Sequence, residues 1–181
     1  DVHYAHGIYF NDEELQFLAD TGTGVAHCPC SNMKLSSGVA RIPDMLRLGV
    51  PVGLAVDGSA SNDASNLMQE LRAAYLMHRL HSGANAPSGY DLLKIATRGS
   101  ARILGRSKLG QIAMGCAADL FAIRYDRLEM AGAERDEANL FGTVGYNRPA
   151  DAVWVGGKLT VKDGELVQID EDRTAAQGRA E

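Results

Sequence analysis

Apolar positions along the first hundred residues keep two rhythms. Short unbroken apolar runs predict strands at residues 2–5, 24–26 and 50–56. Between them, apolar positions three and four apart predict helices. That alternation is the mark of βα units and a parallel sheet. Asn11 precedes the first helix with Glu14 three residues on, a capping-box pair, and Gly22 suits its stop. Pro43 falls where a first-turn proline belongs, and Gly49 closes that helix. The run at 50–56 is almost wholly apolar, as in a strand covered on both faces. Leu67, Leu71, Ala74, Tyr75, Met77 and His78 then trace a long amphipathic helix reaching Gly83. A polar loop is expected over 31–38, and two helical pieces over 89–97 and 100–104.

From Leu109 the pattern shortens to strands and turns, with strands expected at 118–123, 152–155, 159–161 and 166–169. Gly156-Gly157 reads as a hairpin turn, and Lys162-Asp163-Gly164-Glu165 as another. Past Asp170 the chain is charged and rich in Ala, Gln and Gly, so a frayed tail is expected. The organisation predicted is one α/β unit over 1–108, a small β unit over 109–170 and a flexible tail over 171–181.

Composition narrows the partners. A 45% hydrophobic share excludes disorder, and 18 basic against 23 acidic residues form no basic stripe. Nucleic acid as a polymer is therefore not an expected partner, although a single base stays open as a substrate. No apolar run is long enough to span a membrane. Three cysteines, two of them flanking Pro29, do not make a disulfide framework, and the reading is cytoplasmic. The chain opens on Asp1, directly in a strand-like run, and is expected to be a piece of a longer protein.

Three successive strands end in residues able to bind metal or move protons: His6, His27 and Asp57. In a parallel α/β barrel the strand C-termini converge on one face, which holds the active site. Each residue alone has a plainer explanation, a structural histidine or an Asp-Gly turn. Three in series point to a site. His78 and His81 lack the glutamate and spacing of His-Glu-x-x-His and read as surface or core residues. Cys28-Pro29-Cys30 does not match the Pro-Cys-x-x-Cys of cytidine-type zinc deaminases and reads as packing beside the site. His3 is expected to face the helical layer, and Met33, Met45 and Met77 to fill the core.

At these residues the chain resembles a known family. Ala5-His6-Gly7, the run from His27 to Leu35 and the run from Gly53 to Asp63 are similar to motifs of the amidohydrolase superfamily. Ala96 to Gly105 is similar to that family's helix after the barrel, and Lys108 to Leu120 to the entry of its small β domain. The resemblance covers nearly the whole chain. Its branch is that of the guanine and 8-oxoguanine deaminases and the aminotriazine hydrolases. Asp57-Gly-Ser-Ala-Ser-Asn-Asp and Arg127 to Ala133 are most like 8-oxoguanine deaminases.

This resemblance implies the C-terminal part of a (β/α)8 barrel, strands six to eight, followed by part of a β-sandwich. Three strands cut from a closed barrel would leave two open edges. The resemblance implies that His6 and Asp57 are catalytic, with Asp57 also a ligand of one zinc ion, or of another divalent metal. His27 is the implied substrate-binding residue, shaping the pocket or supporting its loop. Zinc makes water acidic enough to attack near neutral pH, and a carboxylate beside it can pass that proton to a leaving amine. A catalytic zinc takes about three protein ligands, and the family's His-x-His and His-x-x-Glu are absent here. The activity implied is hydrolytic deamination of an aminated nitrogen heterocycle, 8-oxoguanine foremost, by a homo-oligomer of the longer protein. An aminotriazine amino- or chlorohydrolase, and a barrel kept only as a binding module, are the alternatives.

Overall fold

The computed structural model describes residues 2–180; Asp1 and Glu181, the outermost residues of the expected first unit and tail, lie outside the described residues. Strands β1 (His3–Ala5), β2 (Gly24–His27) and β3 (Val52–Leu54) form one parallel sheet in chain order. Tyr4 lies opposite Val25, and Val25 opposite Val52. Parallel neighbours need a crossover. It is supplied by α1 (Asp12–Thr21) after β1, and by α2 (Pro29–Lys34) and α3 (Ile42–Leu48) after β2.

The expected capping box is present. Asn11 Oδ1 accepts from Glu14 N at 2.9 Å, and Glu14 Oε2 accepts from Asn11 N at 2.8 Å. Leu15 and Leu18 of α1 and Ile42 and Met45 of α3 are buried in one core with Val25, Val52 and Leu54. Each such side chain contributes roughly 1.5–3 kcal/mol by leaving water. After β3, Asn66 caps α4 (Leu67–Ser82), whose Leu71 and Ala74 enter the same core.

Residues 31–38 are not all loop. Pro29 opens α2, and the Cys28 carbonyl accepts from Asn32 N at 3.0 Å. The polar run that predicts a loop has instead turned Ser31 and Asn32 inward, where both are fully buried. Met33 and His3, expected inside, are exposed, whereas Met45 and Met77 are buried.

The two expected helical pieces join. α5 (Gly89–Lys94) runs through a π turn (Ile95–Gly99) into α6 (Ser100–Ile103). The π turn seats this helix against the outer edge of β3. A Cβ on Gly99 would lie 2.0 Å from the Val52 carbonyl oxygen, so only glycine allows that approach. Ser100 Oγ accepts from Leu54 N at 3.1 Å and lies 3.2 Å from Leu54 O. The expectation of two open edges is therefore corrected: the β3 edge is covered at Leu54, and β1 remains exposed.

A second, antiparallel sheet has the order β4 (Leu120–Ala122), β5 (Ala152–Val155), β6 (Lys158–Lys162), β7 (Glu165–Leu166). The strand expected at 166–169 keeps only its first residue in β7. Between β4 and β5 the chain is helical rather than extended, with three 3-10 turns and α7 (Leu140–Thr143). Met130, Leu140, Phe141 and Tyr146 from this stretch join the core of the first sheet. Within the expected tail, residues 171–180 form helix α8 (Glu171–Ala180), which buries nothing. Its Ala, Arg, Gln and Glu are good helix formers, and Asp170 Oδ1 accepts from Arg173 N at 2.9 Å. Among the described residues no helix is long and apolar enough to cross a membrane.

Candidate active site

The sheet order sets the ends of β1, β2 and β3 side by side, so His6, His27 and Asp57 stand along one rim. His6 and Asp57 both adopt left-handed backbone, with φ of 66° and 67°. Left-handed backbone outside glycine costs on the order of 1–3 kcal/mol per residue and persists where the surroundings impose it. His6 is held by its N–H donating to the Ala26 carbonyl at 2.9 Å.

The result is a facing pair. His6 Nε2 lies 3.8 Å from Asp57 Oδ2, and both side chains are about one-third exposed, at 37% and 30%. Asp57 Oδ2 accepts from Ser31 Oγ at 2.5 Å and from Ser61 Oγ at 2.8 Å. These bonds, with the Gly58 backbone, hold its carboxyl down at about 2. Asp57 thus faces the rim as a full negative charge. His6 Nδ1 meets Asn32 Oδ1 at 2.8 Å, a contact that becomes a hydrogen bond when the ring carries its proton on Nδ1. With the proton there, Nε2 would face Asp57 Oδ2 as an acceptor. Two acceptors converging on one space suit a cation or a water that donates.

His27 differs from the other two. It has no accessible surface, and its Nε2 lies 3.2 Å from Nε2 of His78, which is equally buried. Burial, and then the neighbouring His78 and His6, pushes His27 down to about 3, and burial pushes His78 to about 4. Both rings are neutral at pH 7, and among the described residues neither Nδ1 has a partner. His27, expected to bind substrate by shaping the pocket or to support its loop, thus lies buried against His78.

Sequence reasoning missed the supporting residues. Glu70 of α4 is fully buried; its Oε2 accepts from Cys30 N at 3.0 Å and its Oε1 from Asn62 Nδ2 at 2.6 Å. Asn62 Nδ2 also reaches the Val56 carbonyl at 2.8 Å. One carboxylate thereby ties α2 to the loop after β3. Its signal was available: Glu70 shares the helix stripe of Ala74 and Met77, and an acid on an apolar stripe needs donors. Burial raises the Cys28 thiol to about 11, and burial with Glu70 raises Cys30 to about 12, so both stay protonated. Among the described residues no three His, Cys, Asp or Glu gather as a metal site.

The amidohydrolase family pattern matches residues 2–160. The chain is 45% identical over 176 residues to the 8-oxoguanine deaminase of Pseudomonas aeruginosa, covering 97% of this chain and 39% of that protein. It is 43% identical to the hydroxydechloroatrazine ethylaminohydrolase of Pseudomonas sp. strain ADP, covering 94% of this chain and 36% of the relative. Atrazine chlorohydrolase from Arthrobacter aurescens TC1, solved with zinc, superposes with a TM-score of 0.94 at 36% identity, over 99% of this chain and 40% of that one. An adenosine deaminase from Xanthomonas campestris with bound zinc gives 0.93 at 28% identity, over 98% and 41%. The chain thus spans about two-fifths of the length of these relatives.

Proposed function

The chain belongs to the amidohydrolase family, and from that premise we propose that it carries two catalytic side chains, His6 and Asp57, of a hydrolase that deaminates an aminated nitrogen heterocycle. In this reading the chain is the C-terminal part of a longer protein. β1, β2 and β3 are strands six to eight of its barrel, and β4 to β7 are part of its β-sandwich. The observation that carries the reading is the His6–Asp57 pair, an imidazole nitrogen and a carboxylate oxygen 3.8 Å apart over the strand ends.

That donor set fits one side of a zinc site. Asp57 would hold the ion, with His6 beside it and the remaining ligands supplied by the rest of the longer protein, since a catalytic zinc takes about three. When bound, zinc supplies Lewis acidity and makes water acidic enough to attack near pH 7. This chain's residues do the rest. His6 Nε2 holds the attacking water in line with the ring carbon. Asp57 accepts the water's proton and delivers it to the departing amine, which leaves as ammonia. Ser31 and Ser61 keep the carboxylate aimed.

The favoured substrate is 8-oxoguanine, giving urate and ammonia, on the strength of the 45% identical relative. A triazine substrate is the second reading, favoured by the 43% identical relative and by the solved atrazine chlorohydrolase. The test is to assay the zinc-loaded longer protein for ammonia release from 8-oxoguanine and for amine or chloride release from triazines. Urate formation with the higher kcat/KM is the expected result. A preference for triazines would establish the second reading, and no turnover of either class would overturn both.

A further inference from the structure

The two facing side chains are held by consecutive residues of one short helix. α2 follows β2, the middle strand, so its first turn stands between the ends of β1 and β3. Adjacent helical residues point about 100° apart. Ser31 therefore reaches toward β3 and meets Asp57 Oδ2 at 2.5 Å, while Asn32 reaches toward β1 and meets His6 Nδ1 at 2.8 Å. Both side chains are at least 99% buried, so neither can touch a substrate. The helix is pinned in turn by Glu70, which accepts from Cys30 N.

We propose that Ser31 and Asn32 are positioning residues: Asn32 fixes the ring of His6 with its proton on Nδ1 and its Nε2 free, and Ser31 fixes the rotamer of Asp57. Asn32 does this with its carbonyl oxygen alone. Among the described residues its Nδ2 is buried without a partner, so the amide nitrogen contributes no hydrogen bond here. An aspartate at position 32 would keep the acceptor that matters and remove a donor that is unused. Ser31 likewise acts through one hydroxyl, on the oxygen that faces His6. The helix thus aligns two strand ends that share no covalent neighbour.

This inference deepens the proposed hydrolase reading, yet its first test does not depend on turnover. The longer protein is labelled with 15N-histidine and stripped of metal by chelation. His6 is assigned through a His6→Gln variant, and its tautomer is read at pH 8 from two-bond 15N–1H correlations. The Nδ1–H form is expected in the wild type and in Asn32→Asp, with a mixture in Asn32→Ala. An Nε2–H ring in the wild type would overturn the proposal even if every variant failed to fold. In the zinc-loaded enzyme, Asn32→Ala and Ser31→Ala should each lower kcat about 10- to 100-fold, the usual scale for residues supporting a metal site. KM should hardly move, and Asn32→Asp should recover part of the loss. Folded Ala variants with unchanged kcat and unchanged tautomer would refute it. The predicted tautomers in a protein that turns over no heterocycle would refute the hydrolase reading and leave this one standing.

Discussion

At the scale of single residues, the left-handed backbone of Asp57 decides which substitution is informative. Asn tolerates that conformation and Ala does not, so Asp57→Asn removes the charge while leaving the turn at ease. In the longer protein, Asp57→Asn should abolish turnover and reduce zinc content, and Asp57→Ala should also lower the melting temperature. Metal analysis, kinetics and calorimetry on the two variants check this. Undiminished turnover in either would remove Asp57 from the site. The buried imidazoles make a second prediction. His27 and His78 are held at about 3 and about 4 in the folded protein, below the ordinary value near 6.5. The unfolded chain therefore binds protons first, so stability is full above pH 6.5 and falls as pH drops from there toward 4. Each ring accounts for at most about 2 kcal/mol of that loss by pH 5. Urea midpoints at pH 7, 6 and 5 should decline, and His27→Gln/His78→Gln should flatten the decline. A flat wild-type profile would contradict it. Of the candidate site, the meeting of His6 and Asp57 was legible because strand ends followed by turn residues stand together along one rim of a parallel sheet. Ser31 and Asn32 were not, since in the sequence they look like loop polars. Only the fold reveals that they point inward.

At the scale of elements, the helices with terminal signals were the readable ones. Asn11 with Glu14, Gly22, Pro43 and Gly49 each carry their own local physics, and α1 and α3 lie where those residues put them. The continuous helix through α5, the π turn and α6 was misread as two pieces because Gly99 looks like a break. Its glycine serves a contact instead, the approach to Val52 across a sequence gap that no local rule can see. The helical stretch before β5 was misread for a related reason. Leu140, Phe141 and Tyr146 show no helical period over so short a span, and packing on α4 and α5 sets their conformation. Gly99→Ala tests the contact. The added methyl forces backbone apart, and overpacking of this kind costs about 1–3 kcal/mol or more. A lowered melting temperature and faster amide exchange at Leu54 are expected, while an unchanged melting temperature would show that the helix can shift freely.

At the scale of the whole molecule, the flank formed by β1 and α1 carries exposed Val2, Tyr4 and Phe17, at 64%, 49% and 65%. Apolar surface of that kind calls for a covering layer. Residues 1–181 expressed alone should bind a hydrophobic dye, associate with rising concentration and release no ammonia from 8-oxoguanine with added zinc. Light scattering and the ammonia assay check this, and a monomer with a cooperative melt would refute it. The two borders of the parallel sheet are not equivalent, because Ser100 has already occupied backbone groups of Leu54. A neighbour of the sheet accordingly meets two different borders: an uncovered β1 on one side, and on the other a β3 whose Leu54 backbone groups are already bonded to Ser100. In the barrel proposed above, the seam at β1 would rest on backbone pairing alone and the seam at β3 partly on a serine hydroxyl, so a peptide imitating a barrel strand should compete more readily at β1 than at β3.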